Sequence, residues 1–573
     1  MLSFVLSLSL ALGGYATPAA TSIPGVSLLD WQALNITVQG RLHSSVPFSR
    51  PCFDKVSVGV LGQSNQAACS AVQTGNGNST LRATSPGAYQ ETQWETCQAT
   101  SDQCLLDWTN PTNPAAFSPP KVCSQGSIPP YFIEAQCVRD VQAAFAFSKK
   151  TKIPLSIRNT GHDYKGRSSQ IGSLALWTHN LRSITYDKQF IPKACGKSVT
   201  PLAAVTYGAG VVWGDLYNFA DANNITLPGG ADTSVGAAGG FIQGGGHSPV
   251  SNIYGLAVDR VLEFEVVTPT GQHLFASDCQ NTDLFFALKG GGGGTFGVVM
   301  SVTTRAFPAT SFTTVAIQLT PNPATRPKLV DFIISQSLSW ANDGWSGVMD
   351  PSAFIVLTNI NLNFTEAGAS MKPLRDFVVT ELNTTFNLIP IPSYLSFFNN
   401  FISTGGPPVG VPLLLSSRLV PADVFTSQPA ALSAAVIDVT MKAERTILFA
   451  NTPFNFKPFP GVGPTSVTPA WRNSIWHVVA ATTFNFNTSL TDRKETYTST
   501  SDIMSSLRRL TPHSGAYQNE ADVHEPDFSD SFWGDNYQRL VGIKRKYDPD
   551  TLLQCWQCVD WKGATDPRFR CYI

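Results

Sequence analysis

Charge is what this chain has least of. Only 14% of its 573 residues are Asp, Glu, Lys or Arg, and 39 basic side chains face 40 acidic ones, a net charge of −1. No basic field is left to hold a phosphate backbone or an anionic membrane, so neither is expected as a partner. A hydrophobic content of 43% still places the chain among globular proteins. An unbroken apolar run of about 18 residues is missing, so no membrane span is expected. Leu2 to Leu12 are apolar but too few to span. With Gly14-Tyr15-Ala16 behind them they read as a signal peptide, residues 1–16, although the n-region lacks Lys and Arg. Two other absences concern ligands. The P-loop pattern does not occur, and Cys555-Trp-Gln-Cys558 lacks the second CxxC or nearby His of a zinc site. No metal is expected.

Cysteine is sparse in the middle of the chain and crowded at its ends. Cys52, Cys69, Cys97, Cys104 and Cys123 lie early, Cys555, Cys558 and Cys571 late, and only Cys137, Cys195 and Cys279 between. This suits disulfides pinning loop-rich ends in an oxidising compartment, with a structural disulfide expected for each cysteine. Sequons at Asn35, Asn78, Asn224, Asn363, Asn383 and Asn487 agree with a secreted glycoprotein.

At this length more than one domain is expected. Residues 17–125 are rich in Ser, Pro, Gly, Asn and Cys and read as a Cys-rich N-terminal extension. From 126 to 308 helical and strand-like stretches alternate, with glycine at their ends, an α+β pattern. "CVRDVQAAFAFSKKTK" puts Val138, Val141 and Phe145 on one helical face. "VLEFEVVTPTGQHLFAS" reads as two strands about a Thr-Gly turn. From 309 to 505, alternating strands with helix candidates between them suit a substrate or cap domain: an antiparallel sheet backed by helices. Residues 506–573 have few strands, with a helix expected near Asn536 to Lys546.

Glycine is where the sequence is unusual. Between Leu227 and Val261 lie Gly229, Gly230, Gly236, Gly239, Gly240, Gly244, Gly245 and Gly246, and "KGGGGGTFG" follows at 289–297. Such density allows close backbone approach to a ligand and N–H groups aimed at oxygens. A dinucleotide is the natural occupant. The Rossmann fingerprint does not explain it, because the clusters lie far down the chain and "GGGGGTFG" runs into a strand rather than a helix.

Five stretches, in order, carry a resemblance: "SIRNTGHDYKGRSS", "PGGADTSVGAAGGFIQGGGH", "YGLAVDRVLEFEVVTPTG", "ALKGGGGGTFGVV" and "YQNEADVHEPDFSDSFWGDNYQRL". Together they resemble the vanillyl-alcohol-oxidase superfamily of flavoproteins. Within it they are most similar to the berberine-bridge-enzyme-like branch and its fungal secreted oxidases, which include isoamyl alcohol oxidase. The resemblance implies an FAD domain in two lobes, completed by the C-terminal segment, and a substrate domain on an antiparallel sheet. It implies a covalent bond from His162 to the flavin, with Arg158, Asn159, Thr160, Gly161 and Asp163 as the pyrophosphate grip. Gly230, Gly236, Gly240, Gly245 and His247 fall in the second flavin stretch. Many members attach the flavin again through a cysteine; Asp232 stands there, so a single link is expected. Val235 falls where the family controls oxygen access, and valine suits an oxidase. Asn536 and Tyr537 match positions near the cofactor, and Tyr517 one that faces the reacting side of the ring.

The expected reaction is hydride transfer from an alcohol or secondary-metabolite carbon to FAD, with O2 as final acceptor and H2O2 as product. Tyr517, Glu520 and His477 are the candidates for proton removal. The expected partners are a small-molecule substrate and O2, the expected state a monomer. A non-catalytic flavin binder, an oxidative cyclase and a carbohydrate oxidase stand as alternatives.

Overall fold

The computed structural model describes residues 23, 25–196, 199–403, 407–459 and 462–573. The signal-peptide reading, residues 1–16, lies outside them. Three sheets carry the architecture, and the α+β class read from the sequence holds.

Strands β1 (Leu42–Ser44), β2 (Tyr131–Glu134), β3 (Leu155–Arg158) and β4 (Leu174–Trp177) form the first sheet in the order β1-β2-β4-β3. β2 and β3 run parallel to β4, and β1 is antiparallel to β2. Thus a strand from the Cys-rich segment is hydrogen-bonded into this sheet. Helix α1 (Val138–Thr151) covers it. Val141, Ala144, Phe145 and Ser148, at i, i+3, i+4 and i+7, are buried, and Val141, Ala144 and Phe145 pack on Leu155, Leu174 and Leu176. Asp140 fixes the start of α1: its carboxylate accepts from the N–H of Gln136 at 2.9 Å and pairs with Arg41 at 2.6 Å.

The second sheet is antiparallel throughout. It contains β5 (Ile184–Phe190), β6 (Leu202–Gly208), β7 (Val261–Val267), β8 (His273–Ala276) and β9 (Val298–Arg305), in the order β8-β7-β9-β6-β5. β7 and β8 are the expected hairpin. The five-glycine turn joins helix α2 (Thr282–Leu288) to β9.

The third sheet has seven antiparallel strands: β10 (Phe312–Gln318), β11 (Ser346–Asp350), β12 (Phe354–Asn359), β13 (Asn387–Ile391), β14 (Leu413–Pro421), β15 (Arg445–Phe449) and β16 (Ser474–Thr483). Their order is β13-β10-β12-β11-β15-β16-β14. Strand periodicity gives it two uses. On β16, Trp476, Val478 and Ala480 join a core that includes Val330 and Ile333 of α3 (Arg326–Asn342) and Val436 of α4 (Pro429–Lys442). Alternate residues on the other face, Val479 with Leu413, Leu415, Phe449 and Ala481, pack around Tyr164 of the first lobe.

The ends of the chain close over this frame. Cys52–Cys69 and Cys104–Cys123 are local disulfides, Cys195–Cys279 ties the loop between β5 and β6 to the one after β8, and Cys97–Cys571 joins residues 474 apart. Cys555 and Cys558 pair with each other. Cys137 is unpaired and exposed, against the expectation of a disulfide for every cysteine; its place is the start of α1, where its Sγ lies 3.5 Å from the Asp140 carboxylate. Helix α5 (Tyr537–Tyr547) returns to the first lobes, and the buried Lys544 donates to the Thr295 carbonyl and to Asp548, each at 2.6 Å. No described helix is long and apolar enough to cross a membrane.

Candidate functional site

A cavity of about 350 Å3 lies where the three sheets meet. One wall is the loop that follows β3. Asn159, Thr160, Gly161, His162 and Asp163 line it, and Gly161 turns the chain at φ +82°. Among the described residues the N–H groups of Thr160, Gly161 and His162 donate to no protein acceptor. Those further on are engaged: Asp163 N–H donates to Glu91 at 2.8 Å, and Lys165 N–H to Asp163 at 3.2 Å. Asp163 therefore braces its own loop rather than reaching outward, its second oxygen accepting from the Ser168 hydroxyl at 2.7 Å.

The second wall is the glycine-rich stretch. Gly230, Asp232, Val235, Gly236, Gly240 and His247 all line the cavity. A Cβ on Gly240 would meet no protein atom within 4 Å, while one on Gly293 would lie 2.9 Å from Gly240 Cα. The two glycine turns thus touch, and their bare backbones edge the cavity. Unused N–H groups and exposed backbone along an elongated cleft suit the pyrophosphate and sugars of a dinucleotide, so the residues present fit FAD. His162 Nε2 lies 2.7 Å from Ser234 Oγ and 3.8 Å from Asp232 Oδ1. Burial lowers the His162 pKa, and Asp232 opposes that in part.

Four expected cofactor residues are placed elsewhere. Arg158 is buried with its guanidinium turned to the carbonyls of Ser85 and Ala88, away from the cavity, because alternate residues of β3 face opposite sides. Asn536 donates to the Val467 carbonyl at 3.0 Å, and Tyr537 stacks on Trp533; both support the C-terminal segment behind the site. Gly245 also lies behind the wall, against Val467 and Tyr517.

The third wall carries ionisable groups. His247 Nε2 is 3.1 Å from Glu520 Oε1, and Asn451 Nδ2 is 3.5 Å from His247 Nδ1. The amide donates to Nδ1, which assigns the proton to Nε2, where it points at the carboxylate. Burial pushes the Glu520 carboxyl up, but the attraction and hydrogen bond of the His247 Nε2–H outweigh it, and the net shift is downward. His477 is fully buried one layer deeper, its Nδ1 3.7 Å from Glu520 Oε2, with neither ring nitrogen hydrogen-bonded. Burial pulls it down to about 3, so it is neutral and shares no proton with Glu520. It sits on the Val479–Ala481 row of β16, as strand periodicity requires. The phenol oxygen of Tyr517 accepts from Gly246 N–H at 3.2 Å and from Asn519 Nδ2 at 2.8 Å, leaving its own proton to donate. Burial first and the Glu520 charge second raise its pKa far above the ordinary value. Tyr517 is thus a donor rather than a base. His247, His477 and Glu520 are also the one cluster of metal-ligand composition among the described residues. A proton on His247 already satisfies its pairing with Glu520 without an ion.

Beside these groups the cavity-facing row of the third sheet is apolar, and its Phe449 lies 5.1 Å from the His247 ring and stacks on His477. Leu413 and Leu415 of β14, Ile447 and Phe449 of β15 and Val479 of β16 line the cavity, with Arg445 as its charged exception. Ser234 and Asn451 were missed by sequence reasoning. The D-x-S spacing of Asp232 and Ser234 is the signature of a side chain folding back on its own turn, and Ser234 N–H donates to Asp232 at 2.7 Å. Asn451 had no such signal.

Residues 129–277 match the family model described as FAD binding domain, and residues 516–559 the one described as berberine and berberine like. The FAD-linked oxidoreductase ffsJ of Aspergillus flavipes is 38% identical over 590 residues, covering 96% of this chain and 95% of its own. The VAO-type flavoprotein MtVAO615 of Myceliophthora thermophila superposes with a TM-score of 0.81 at 28% identity, over 93% of this chain and 95% of its own. Glucooligosaccharide oxidase of Acremonium strictum, whose FAD is 6-S-cysteinyl, 8α-N1-histidyl, shares the fold at 19% identity and TM-score 0.62, over 75% of this chain and 92% of its own. With its three-sheet α+β fold, and with residues 517–520 of the C-terminal segment on the cavity that the FAD-binding match also lines, the chain belongs to the FAD-linked oxidoreductases of the vanillyl-alcohol-oxidase superfamily, in its berberine-bridge-enzyme-like branch.

Proposed function

We propose that this FAD-linked oxidoreductase is a secreted oxidase that takes a hydride from the carbinol carbon of an apolar alcohol or secondary metabolite. The observation that carries the reading is the His247–Glu520 pair, 3.1 Å apart, on a cavity that leucine, isoleucine and valine side chains of the third sheet also line. FAD, when bound, would supply the two-electron acceptor for the hydride, with O2 as the final acceptor and H2O2 as its product. The protein's own part is orientation, proton handling and exclusion of water. Glu520, ionised, takes the hydroxyl proton; His247 holds the carboxylate from one side; Tyr517 donates a hydrogen bond into the same space. His162, on the cavity wall, is the residue to which FAD would be attached, through one link only, since Asp232 stands in the place of the second. Val235, also on that wall, is consistent with access for O2. An apolar wall disfavours a sugar, which needs many hydrogen-bonding partners, so the carbohydrate-oxidase alternative ranks below the alcohol oxidase. Of the sequons, Asn78, Asn224, Asn363, Asn383 and Asn487 are exposed and open to glycosylation, whereas Asn35 is half-buried.

The test is anaerobic mixing with a panel of apolar alcohols, phenols and sugars. Bleaching of the flavin band by an apolar alcohol, then recovery in air with H2O2 formed, is the expected result. Reduction by sugars alone, or by nothing in the panel, would sink the reading.

A further inference from the structure

Asp232 does more than leave out a thiol. The Ser234 hydroxyl donates to Asp232 Oδ1 at 2.9 Å, and the Ser234 N–H holds the same oxygen at 2.7 Å. A serine hydroxyl has one proton, and here it is committed. At its 2.7 Å contact with His162 Nε2 it must therefore accept, so Nε2 carries the imidazole proton. His162 Nδ1 is then an unprotonated lone pair with no protein partner among the described residues. The three groups are enclosed: the His162 and Asp232 side chains are 10% and 17% exposed, and Ser234 is 3% exposed. The order His–Ser–Asp is that of a base aimed, through a hydroxyl, at the far side of an imidazole.

We propose that Ser234 and Asp232 form a proton relay that makes Nδ1 of His162 the nucleophile for covalent attachment of FAD. The inference rests on the reading of His162 as the attachment residue. In the step, a bond forms between Nδ1 and the 8α carbon of the flavin, and a C–H bond of that carbon breaks. The proton and the two electrons of that bond would pass to the flavin ring and leave it later to O2, the oxidant of the proposed activity, which takes its second proton from Asp232 on the way to H2O2. The imidazole, alkylated at Nδ1, would be a cation; its Nε2 proton passes to Ser234 Oγ as the Ser234 proton passes to Asp232. The histidine ends neutral, with Nε2 accepting from Ser234. Asp232 thus serves the single link from the position where relatives form a second one. A general base in such a step is worth on the order of 10²-fold or more in rate. Ser234 and Asp232 are positioning residues here, since they act through His162.

The test reads attachment rather than turnover. Holoprotein is precipitated with acid, flavin in the pellet and in the supernatant is measured, and intact mass reports the adduct. Incubation of each variant with added FAD gives the time course. Wild type is expected to keep its flavin in the pellet and His162→Ala to release all of it. Ser234→Ala and Asp232→Asn are expected to hold FAD without covalent bonding, attaching it about 10²-fold more slowly than wild type. Ser234→Thr, which restores the hydroxyl, is expected to recover the rate. Asp232→Asn keeps an acceptor for the Ser234 hydroxyl but removes the base, so it reads the relay even where Ser234→Ala folds poorly. Wild-type rates of attachment in both Ser234→Ala and Asp232→Asn overturn the relay and leave the tether standing. Flavin released entirely from the wild type overturns both.

Discussion

At the scale of single residues, chemistry is divided by environment. Glu520 and Tyr517 share one wall, yet their pKa values are driven apart, the carboxyl downward and the phenol upward. Glu520→Gln is therefore expected to slow anaerobic flavin reduction by about 10²-fold or more, and Tyr517→Phe by about tenfold, in stopped-flow traces at 450 nm. In the wild type the same rate should hold steady on acidification until the pH passes below the ordinary Glu value of about 4.3. Glu91 shows the opposite case. Burial, then the nearby Asp163 charge, pushes its carboxyl up to about 8 while it accepts from Asp163 N–H. Between its unfolded value and 8 the native state holds a proton that the unfolded chain has lost, so the contribution is favourable below that window and is lost as pH rises through it. Glu91→Gln, which cannot ionise, should match the wild-type unfolding midpoint near pH 5 and exceed it at pH 8. The place of His162 on the cavity wall was legible through the resemblance, which rests on its loop and the later glycine stretches in order. Its partner Ser234 was not, since a hydroxyl two residues from an acid marks a turn and says nothing of what faces it.

At the scale of elements, alternation does most of the work. β16 serves a helix-backed core with one set of residues and the cavity wall with the other, so one strand both anchors the sheet and shapes the cavity. That alternation was visible in "SIWHVVAATT", and with it the sheet. The direction of each side chain was not. Arg158 belongs to the flavin motif by position but faces the carbonyls of the Cys-rich segment, and Asn536 and Tyr537 brace a loop from behind. A motif gives the order of residues along the chain; which of them turn inward depends on neighbours supplied from far away. The glycine turns are easier to read, because a missing side chain has no direction to mistake. Gly240→Ala is expected to fold, since its Cβ meets nothing in the protein, and yet to place a methyl group in the cavity. Purified protein should then carry less flavin per chain, measured as the ratio of flavin to protein absorbance. Undiminished loading would mean that this backbone does not border the cofactor.

At the scale of the whole molecule, the Cys-rich segment is a clamp. Gln93 both donates to and accepts from the backbone of Leu413, at 2.7 and 3.0 Å, so it grips the edge of the substrate sheet like an added strand. Cys97–Cys571 then ties that clamp to the C-terminal segment. Replacing Cys97 by Ala is expected to cost roughly 2–5 kcal/mol and to lower the unfolding midpoint by several degrees in calorimetry. Composition told that the ends were pinned, but not that the pins join one end to the other, since pairing depends on a fold that brings residues 474 apart together. The loop that carries His162 is held in the same way. Its Lys165 side chain reaches the carbonyl of Asp522 and the side chain of Gln557, and the Tyr572 hydroxyl donates to the carbonyls of Lys165 and Gly166. Those partners are synthesised about four hundred residues after the loop they hold. The cofactor cradle is therefore among the last things this chain can finish. A nascent or truncated polypeptide that ends beyond the FAD-binding segment but short of Asp522 can have its first two sheets in place and still possess no mature loop to receive a flavin.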